Sequence, residues 1–329
     1  MIPAFDRPPI HLPFASRINP HLEHASRASD AWLESMGLID PATRQILDSG
    51  CFGELNARVF PDVDATGLEH MISLMSWLFL LDDALDQGEL NHHVIATEAL
   101  LERLFSQLAQ DPLAPAAKPG LELAGGALIG SIRRGLSTAG QRRFLGEIRA
   151  YFDAVLKEVE IRAAGVVPDL LAFALVRRYT GASQLMFSAG EYANHAELPE
   201  AFCRTRPFQA LQQSTSDVLV LVNDIFSYAK ESRFDEINNY VVVCRHHLGL
   251  SVREAMAFVN GLVTSRVRAF EQARERLPAF LDQQRYTDLE RQAIERYADT
   301  LENWMSGNLD WSLEVPRYNA PCFTEEARR

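Results

Sequence analysis

The chain has 329 residues, 47% of them hydrophobic and 23% charged, which is enough apolar material for a large buried core in a soluble protein. A formal net charge of −12 excludes general nucleic-acid binding, which relies on lysine and arginine to displace counterions from phosphates. An anionic ligand would therefore need a local cluster of arginines, or bound cations that invert the field.

Residues 1–20 carry "RPPIHLPF" and "NPH", too rich in proline for a helix, and predict an extended arm. Beyond them apolar residues recur at spacings of three and four, first in "PHLEHASRASDAWLESMGL" and then in "ATGLEHMISLMSWLFLLDDAL". The longest apolar run, 71–81, falls short of the roughly 20 residues that cross a bilayer, and no signal-peptide pattern precedes it, so a cytoplasmic protein is expected. Directly after that run stand Asp82, Asp83 and Asp86. On a helix, positions 82 and 86 share a face about 6 Å apart along the axis, while 83 is rotated by roughly 100°. Two carboxylates there approach one ion, or they end a buried helix at the surface, since unpaired buried charge is costly.

"VIATEALLERLFSQLAQ" and "RRFLGEIRAYFDAVLKEVEIRAAG" continue the helical pattern. Breaks fall at 111–120, 165–169, 197–200 and 204–208, each with proline or glycine. The pairs His92/His93 and His246/His247 point to different faces of a helix and are not expected to bind metal. In "LVNDIFSYAKE", Asn223, Ser227 and Glu231 follow one another at steps of four and offer oxygen donors of the kind Mg²⁺ prefers. The outer pair lies roughly 12 Å apart along the axis, so Glu231 must lean back toward the N-terminus, as long helical side chains do. Asn and Ser are mediocre helix formers and give the apolar "DVLVLV" before them no structural benefit, although a polar helix face would also show this spacing.

The β-branched "VVVC" at 241–244 is the best strand candidate, but one short run amid helices reads better as helix. Cys51, Cys203, Cys244 and Cys322 lie far apart, without a CxxC pair, and are expected to be reduced and structural. No linker, internal repeat, Walker-type loop, HExxH pair or GxSxG elbow is present. The expected fold is all-α in one domain, an antiparallel helical barrel or bundle spanning 21–318, with 319–329 as a charged tail.

Together, "DDALD" at 82–86 and "NDIFSYAKE" at 223–231 resemble the aspartate-rich and NDxxSxxKE motifs of class I terpene synthases. "RRYTG" places Arg177 where that family has a diphosphate-sensing arginine, with Thr180 and Gly181 in the linker and effector positions. "PRYN" places Arg317 and Tyr318 as its terminal RY pair. The resemblance spans nearly the whole chain and is closer to microbial than to plant enzymes.

It implies that Asp82, Asp86, Asn223, Ser227 and Glu231 bind three Mg²⁺ ions, and that Arg177, Lys230, Arg317 and Tyr318 hold the diphosphate of an isoprenyl substrate. Asp83, Arg178 and Asp224 stand beside these motifs as supporting or salt-bridge residues. Aromatic walls would keep the allylic cation dry, and by position Trp77, Phe79, Phe152, Phe187, Trp304 and Trp311 are candidates. The implied reaction is cyclisation or rearrangement of farnesyl diphosphate to a sesquiterpene by a monomer or homodimer. Geranyl and geranylgeranyl diphosphate stay open as substrates. A chain-elongating prenyltransferase would carry two aspartate-rich motifs, and a non-catalytic helical protein would show acidic clusters facing solvent.

Overall fold

The computed structural model describes residues 7–87, 89–110, 119–234 and 236–319, without the side chains of residues 86, 87 and 89. Residues 7–19 hold no helix, and the first backbone tie of this segment to the body runs from Asn19 N to Ala57 O at 2.9 Å. The helices follow in order: α1 Leu22–Ser35, α2 Pro41–Gly50, α3 Phe52–Val59, α4 Ala65–Gln87, α5 Val94–Ala109, α6 Leu121–Arg134, α7 Thr138–Ala164 and α8 Leu170–Thr180. The rest are α9 Ser183–Ala193, α10 Glu200–Cys203, α11 Arg206–Glu231, α12 Tyr240–Leu248, α13 Val252–Asp282, α14 Asp288–Glu314 and α15 Pro316–Asn319. A short 3₁₀ turn, Glu89–His92, follows α4, and no strand occurs among the described residues.

The sequence marks many of these boundaries chemically. Ser251 with Glu254 and Thr287 with Glu290 form capping boxes at the starts of α13 and α14, satisfying amides that a helix leaves without intrahelical partners. Thr205 caps α11 inside the proline-bearing break at 204–208. Gly165 and Gly249 end α7 and α12 at φ of +63° and +65°, where a side chain would be strained. The "VVVC" run is helical because Asn239 caps α12, its Oδ1 accepting from Val241 N at 2.8 Å, and Val241, Val243 and Cys244 bury themselves in the core.

Helix α4 is apolar on nearly every side and accordingly runs through the interior, with Leu68, Met71, Leu74 and Trp77 fully buried. It packs against α1, α3, α6 and α9, while α11 packs against α8, α9, α13 and α14. Between these groups lies a cavity of about 650 Å³, within the range of small-molecule sites. No helix among the described residues is long and apolar enough to cross a membrane.

Candidate active site

Helices α4 and α11, and α14 with the short α15 that follows it, each run from apolar to charged along the cavity wall. Helix α4 contributes Met75, Leu78 and Phe79 before Asp82 and Asp83. Helix α11 contributes Leu219 and Val220 before Asn223, Ser227, Lys230 and Glu231, and α14 contributes Trp304, Asn308 and Trp311 before Arg317 and Tyr318 on α15. The charged groups consequently collect at one end of the cavity and the apolar groups line the other.

Helix α8 brings in Arg177, whose guanidinium is the hub of the charged end. Its Nε donates to Asp224 Oδ1 at 2.9 Å, Nη2 donates to Asn223 Oδ1 at 2.7 Å, and Nη1 donates to Thr180 Oγ1 at 3.2 Å. Asp224 is completely buried, and its second oxygen accepts from Tyr240 N at 2.7 Å, so the carboxylate fixes the arginine fork rather than facing the cavity. Burial acts to lower the pKa of Arg177, but Asp224, Glu158 and Glu231 outweigh it and hold the guanidinium charged.

Asn223 also donates through Nδ2 to Tyr318 Oη at 2.8 Å, tying α11 to the short terminal helix. Asn239, in the turn after α11, spreads its amide over Asp224 O at 3.0 Å, Glu231 Oε2 at 2.9 Å and, more weakly, Ser227 Oγ at 3.4 Å. Sequence reasoning missed Asn239, whose only signal was its helix-capping position. It also missed Glu158, which lines the cavity 4.0 Å from Arg177.

On the facing side, Arg317 Nη2 lies 3.7 Å from Asp83 Oδ1, and its guanidinium stacks over Phe79 at 5.0 Å. Burial acts to lower its pKa, and Tyr318, Asp83, Asp82 and Glu231 reverse that, leaving it raised. The Lys230 ammonium shifts the other way: burial, and then the charge of Arg317, lower its pKa. Two cations held in a part-buried cavity at the expense of one of them mark a place where negative charge is welcome.

The donor set fits a hard divalent cation. Asn223, Ser227 and Glu231 on one side and Asp82 and Asp83 on the other offer only oxygen. No three His, Cys, Asp or Glu side chains converge among the described residues, and the amide of Asn223 and the hydroxyl of Ser227 add oxygen donors to the carboxylates here. Asp86 belongs to α4, but its side chain lies outside the described residues, as do Cys322 and the tail from 320.

The break between α8 and α9 shapes the wall beside Arg177. A Cβ at Gly181 would stand 2.4 Å from Val220 Cγ1, so only glycine lets this segment press onto α11. Ala182, next in line, takes a left-handed φ of +52°, a conformation costing a non-glycine residue roughly 1 kcal/mol or more. Of the three non-glycine residues with left-handed φ among the described residues, Cys51, Ala182 and His195, Ala182 is the one at the cavity wall.

The sequence profile described as "Terpene synthase family 2, C-terminal metal binding" matches residues 73–269, which is more than half of the chain and includes the acidic stretches of both α4 and α11. The chain belongs to the terpene synthase family. It is 30% identical to pristinol synthase of Streptomyces pristinaespiralis over 94% of this chain and 84% of that protein. It is also 29% identical to a farnesyl-diphosphate-cyclizing (+)-T-muurolol synthase of Roseiflexus castenholzii, over 93% and 92% of the two chains. A solved hedycaryol synthase, in complex with HEPES, superposes with a TM-score of 0.84 at 27% identity, covering 94% of this chain and 99% of that one. The chain is thus a class I terpene synthase, a lyase, with the all-α fold of that family.

Within this terpene synthase the expected aromatic lining divides in two. Phe79, Trp304 and Trp311 do line the cavity. Trp77, Phe152 and Phe187 do not: they are buried core residues set behind the wall. Trp77 Nε1 donates to Leu121 O at 2.8 Å, and its ring abuts Gly125 on α6, the side of α4 away from the cavity. Phe187 packs edge-on behind Trp304 at 5.8 Å and so buttresses the wall without forming it. Arg178 likewise points away, clamped on Asp217 Oδ1 and Oδ2 at 2.7 and 3.0 Å. His92 reaches the cavity rim, while His247 Nε2 pairs with Pro168 O at 2.8 Å outside it.

Proposed function

We propose that this terpene synthase ionises farnesyl diphosphate with Mg²⁺ and cyclises or rearranges the cation to a sesquiterpene, releasing diphosphate. One observation carries the reading: a single 650 Å³ cavity has oxygen donors from α4 and α11 together with Arg177, Lys230 and Arg317 at one end, and aliphatic and tryptophan side chains at the other. The farnesyl chain length is supported by the relative named for cyclising that substrate.

In this reading Asp82, Asp86, Asn223, Ser227 and Glu231 hold three Mg²⁺ ions, which supply positive charge to offset that developing on the leaving diphosphate. Arg177, Lys230, Arg317 and Tyr318 bind and orient the diphosphate oxygens. Asp224 positions Arg177 through the short contacts already described. Asn223 and Tyr318, hydrogen-bonded to each other, keep the two helices that flank the leaving group in register. Beyond them, Leu78, Phe79, Met186, Leu219 and Trp304 exclude bulk water from the hydrocarbon, and the π faces of Phe79 and Trp304 favour positive charge.

The test is to incubate the purified protein with geranyl, farnesyl and geranylgeranyl diphosphate plus Mg²⁺ and to analyse extracts by gas chromatography and mass spectrometry. A C15 hydrocarbon or alcohol absent from the enzyme-free control is expected with farnesyl diphosphate, without consumption of isopentenyl diphosphate. No terpene from any of the three would sink the proposal.

A further inference from the structure

Helices α4 and α11 carry the oxygen donors, and each gives way to non-α chain shortly after them: Glu231 is the last residue of α11, and the 3₁₀ turn Glu89–His92 follows α4. A helix end leaves backbone groups without intrahelical partners, and its last turn frays unless something outside holds it. One side chain reaches the chain beyond both helices. Arg162, in the last turn of α7, donates through Nη1 to Asn91 Oδ1 at 2.7 Å in the 3₁₀ turn, and to Asn91 O at 3.3 Å. Its Nε donates to Glu236 Oε2 at 3.0 Å, five positions beyond Glu231. The other Glu236 oxygen accepts from Asn238 N at 2.7 Å, and Asn238 Nδ2 donates to Glu158 O on α7 at 3.3 Å, which fastens this segment to the same helix a second time. Asn91, Arg162, Glu236 and Asn238 all line the cavity. The Arg162 and Glu236 side chains are only 9% and 17% exposed, so their charge-assisted bond is shielded from the solvent that weakens surface pairs. Helix α7 is a firm base for these ties, because it packs against α5, α8 and α9.

We propose that Arg162 is a positioning residue for the metal-assisted reaction: by tying the chain after α4 and the chain after α11 to α7, it holds the two donor-bearing helices at the spacing that lets their oxygens share one set of ions. The inference rests on the ionisation reading above and adds a residue to it that lies outside the metal and diphosphate groups. Arg162 acts through Asn91 and Glu236. The planar guanidinium suits this task, since it bonds partners in two directions at once, which the single ammonium of a lysine does not do with the same geometry. Groups that orient the side chains or helices around a metal are typically worth 10–100-fold in metal affinity, and a misplacement of about 1 Å at a reacting centre costs roughly 10²-fold in rate.

The experiment titrates Mg²⁺ at a fixed concentration of inorganic diphosphate and reads the rise in unfolding temperature over the ligand-free value of the same protein, with kcat/KM for farnesyl diphosphate measured alongside. It compares the wild type with Arg162→Met, Asn91→Ala, Glu236→Ala and the double variant Arg162→Met/Glu236→Ala. The half-saturating Mg²⁺ concentration should rise about tenfold in Arg162→Met and in Glu236→Ala, and less in Asn91→Ala, with kcat/KM falling in the same order. The double variant should be no worse than Arg162→Met, because both substitutions remove the same tie. If Arg162 instead held the diphosphate itself, Glu236→Ala and Asn91→Ala would bind Mg²⁺ and diphosphate as the wild type does, and that result overturns the proposal. Effects that multiply in the double variant also overturn it, as does a lower ligand-free unfolding temperature with an unchanged Mg²⁺ midpoint. The Asn91→Ala and Glu236→Ala results keep the test decisive if Arg162→Met fails to fold. A wild type that neither gains stability from Mg²⁺ with diphosphate nor turns over any isoprenyl diphosphate overturns the ionisation reading and this inference together.

Discussion

Arg177 and Arg143 are both part-buried arginines held by carboxylates, and of this pair only Arg177 opens onto the cavity. Arg177 joins Asp224, Asn223 and Thr180 at the end of α8 and faces the large cavity. Arg143 on α7 meets Glu191 Oε2 at 2.5 Å, and that same oxygen accepts Leu198 N at 2.7 Å. None of the residues around Arg143 lines the cavity. The second cluster closes the turn after α9, whereas the first presents oxygen donors and cations to open space. Buried charge alone therefore does not mark a site. What distinguishes Arg177 is a cavity shared with donors from two facing helices.

The comparison breaks first at Glu231. Glu231→Gln should lower kcat/KM by about 10³-fold through a weakened metal site, about 4 kcal/mol, while thermal unfolding stays near that of the wild type. A variant retaining full activity would remove α11 from the chemistry. Arg143→Met should do the reverse. Breaking one member of a buried pair costs on the order of 3–5 kcal/mol, visible in urea unfolding, while kcat/KM per folded molecule stays within about twofold. Arg177→Lys should retain a charge but lose the fork that spans Asp224 and Asn223, at a loss of about 10²-fold in kcat/KM.

The smallest effect concerns Glu147, near Arg143. Burial pushes its carboxyl up to about 7, with Arg143 pulling it down and Glu191 pushing it further up. A carboxyl raised in the folded state binds its proton more tightly there than when unfolded. The contribution is therefore least unfavourable below the unfolded value, and stability falls as pH rises from 4.5 toward 7. Glu147→Gln should remove that slope and raise stability at pH 8 by on the order of 2 kcal/mol, with no gain near pH 4.5, as read from unfolding midpoints across pH.

How much was legible in the sequence follows from which signals are local. Helix periodicity and capping residues act over a few positions, so α1, α4, α5 and α7 could be read directly, and "VVVC" yielded to the Asn239 cap and to tertiary packing. The steps of four in Asn223, Ser227 and Glu231 are likewise local, and all three reach one cavity. The aromatic wall is different. An apolar residue on a helix gives the same periodic signal whether it meets a cavity or another helix, which is why Trp77 and Phe79, two positions apart on α4, looked alike.

The most direct test of the central claim is inorganic diphosphate released from farnesyl diphosphate by the purified protein across a Mg²⁺ titration. Release should be absent after chelation with EDTA, return as Mg²⁺ is restored, and stay at background in Asp82→Asn at every concentration. Equal release without any divalent cation, or an Asp82→Asn curve that overlays the wild type, would contradict the assignment of this cavity to metal-assisted ionisation.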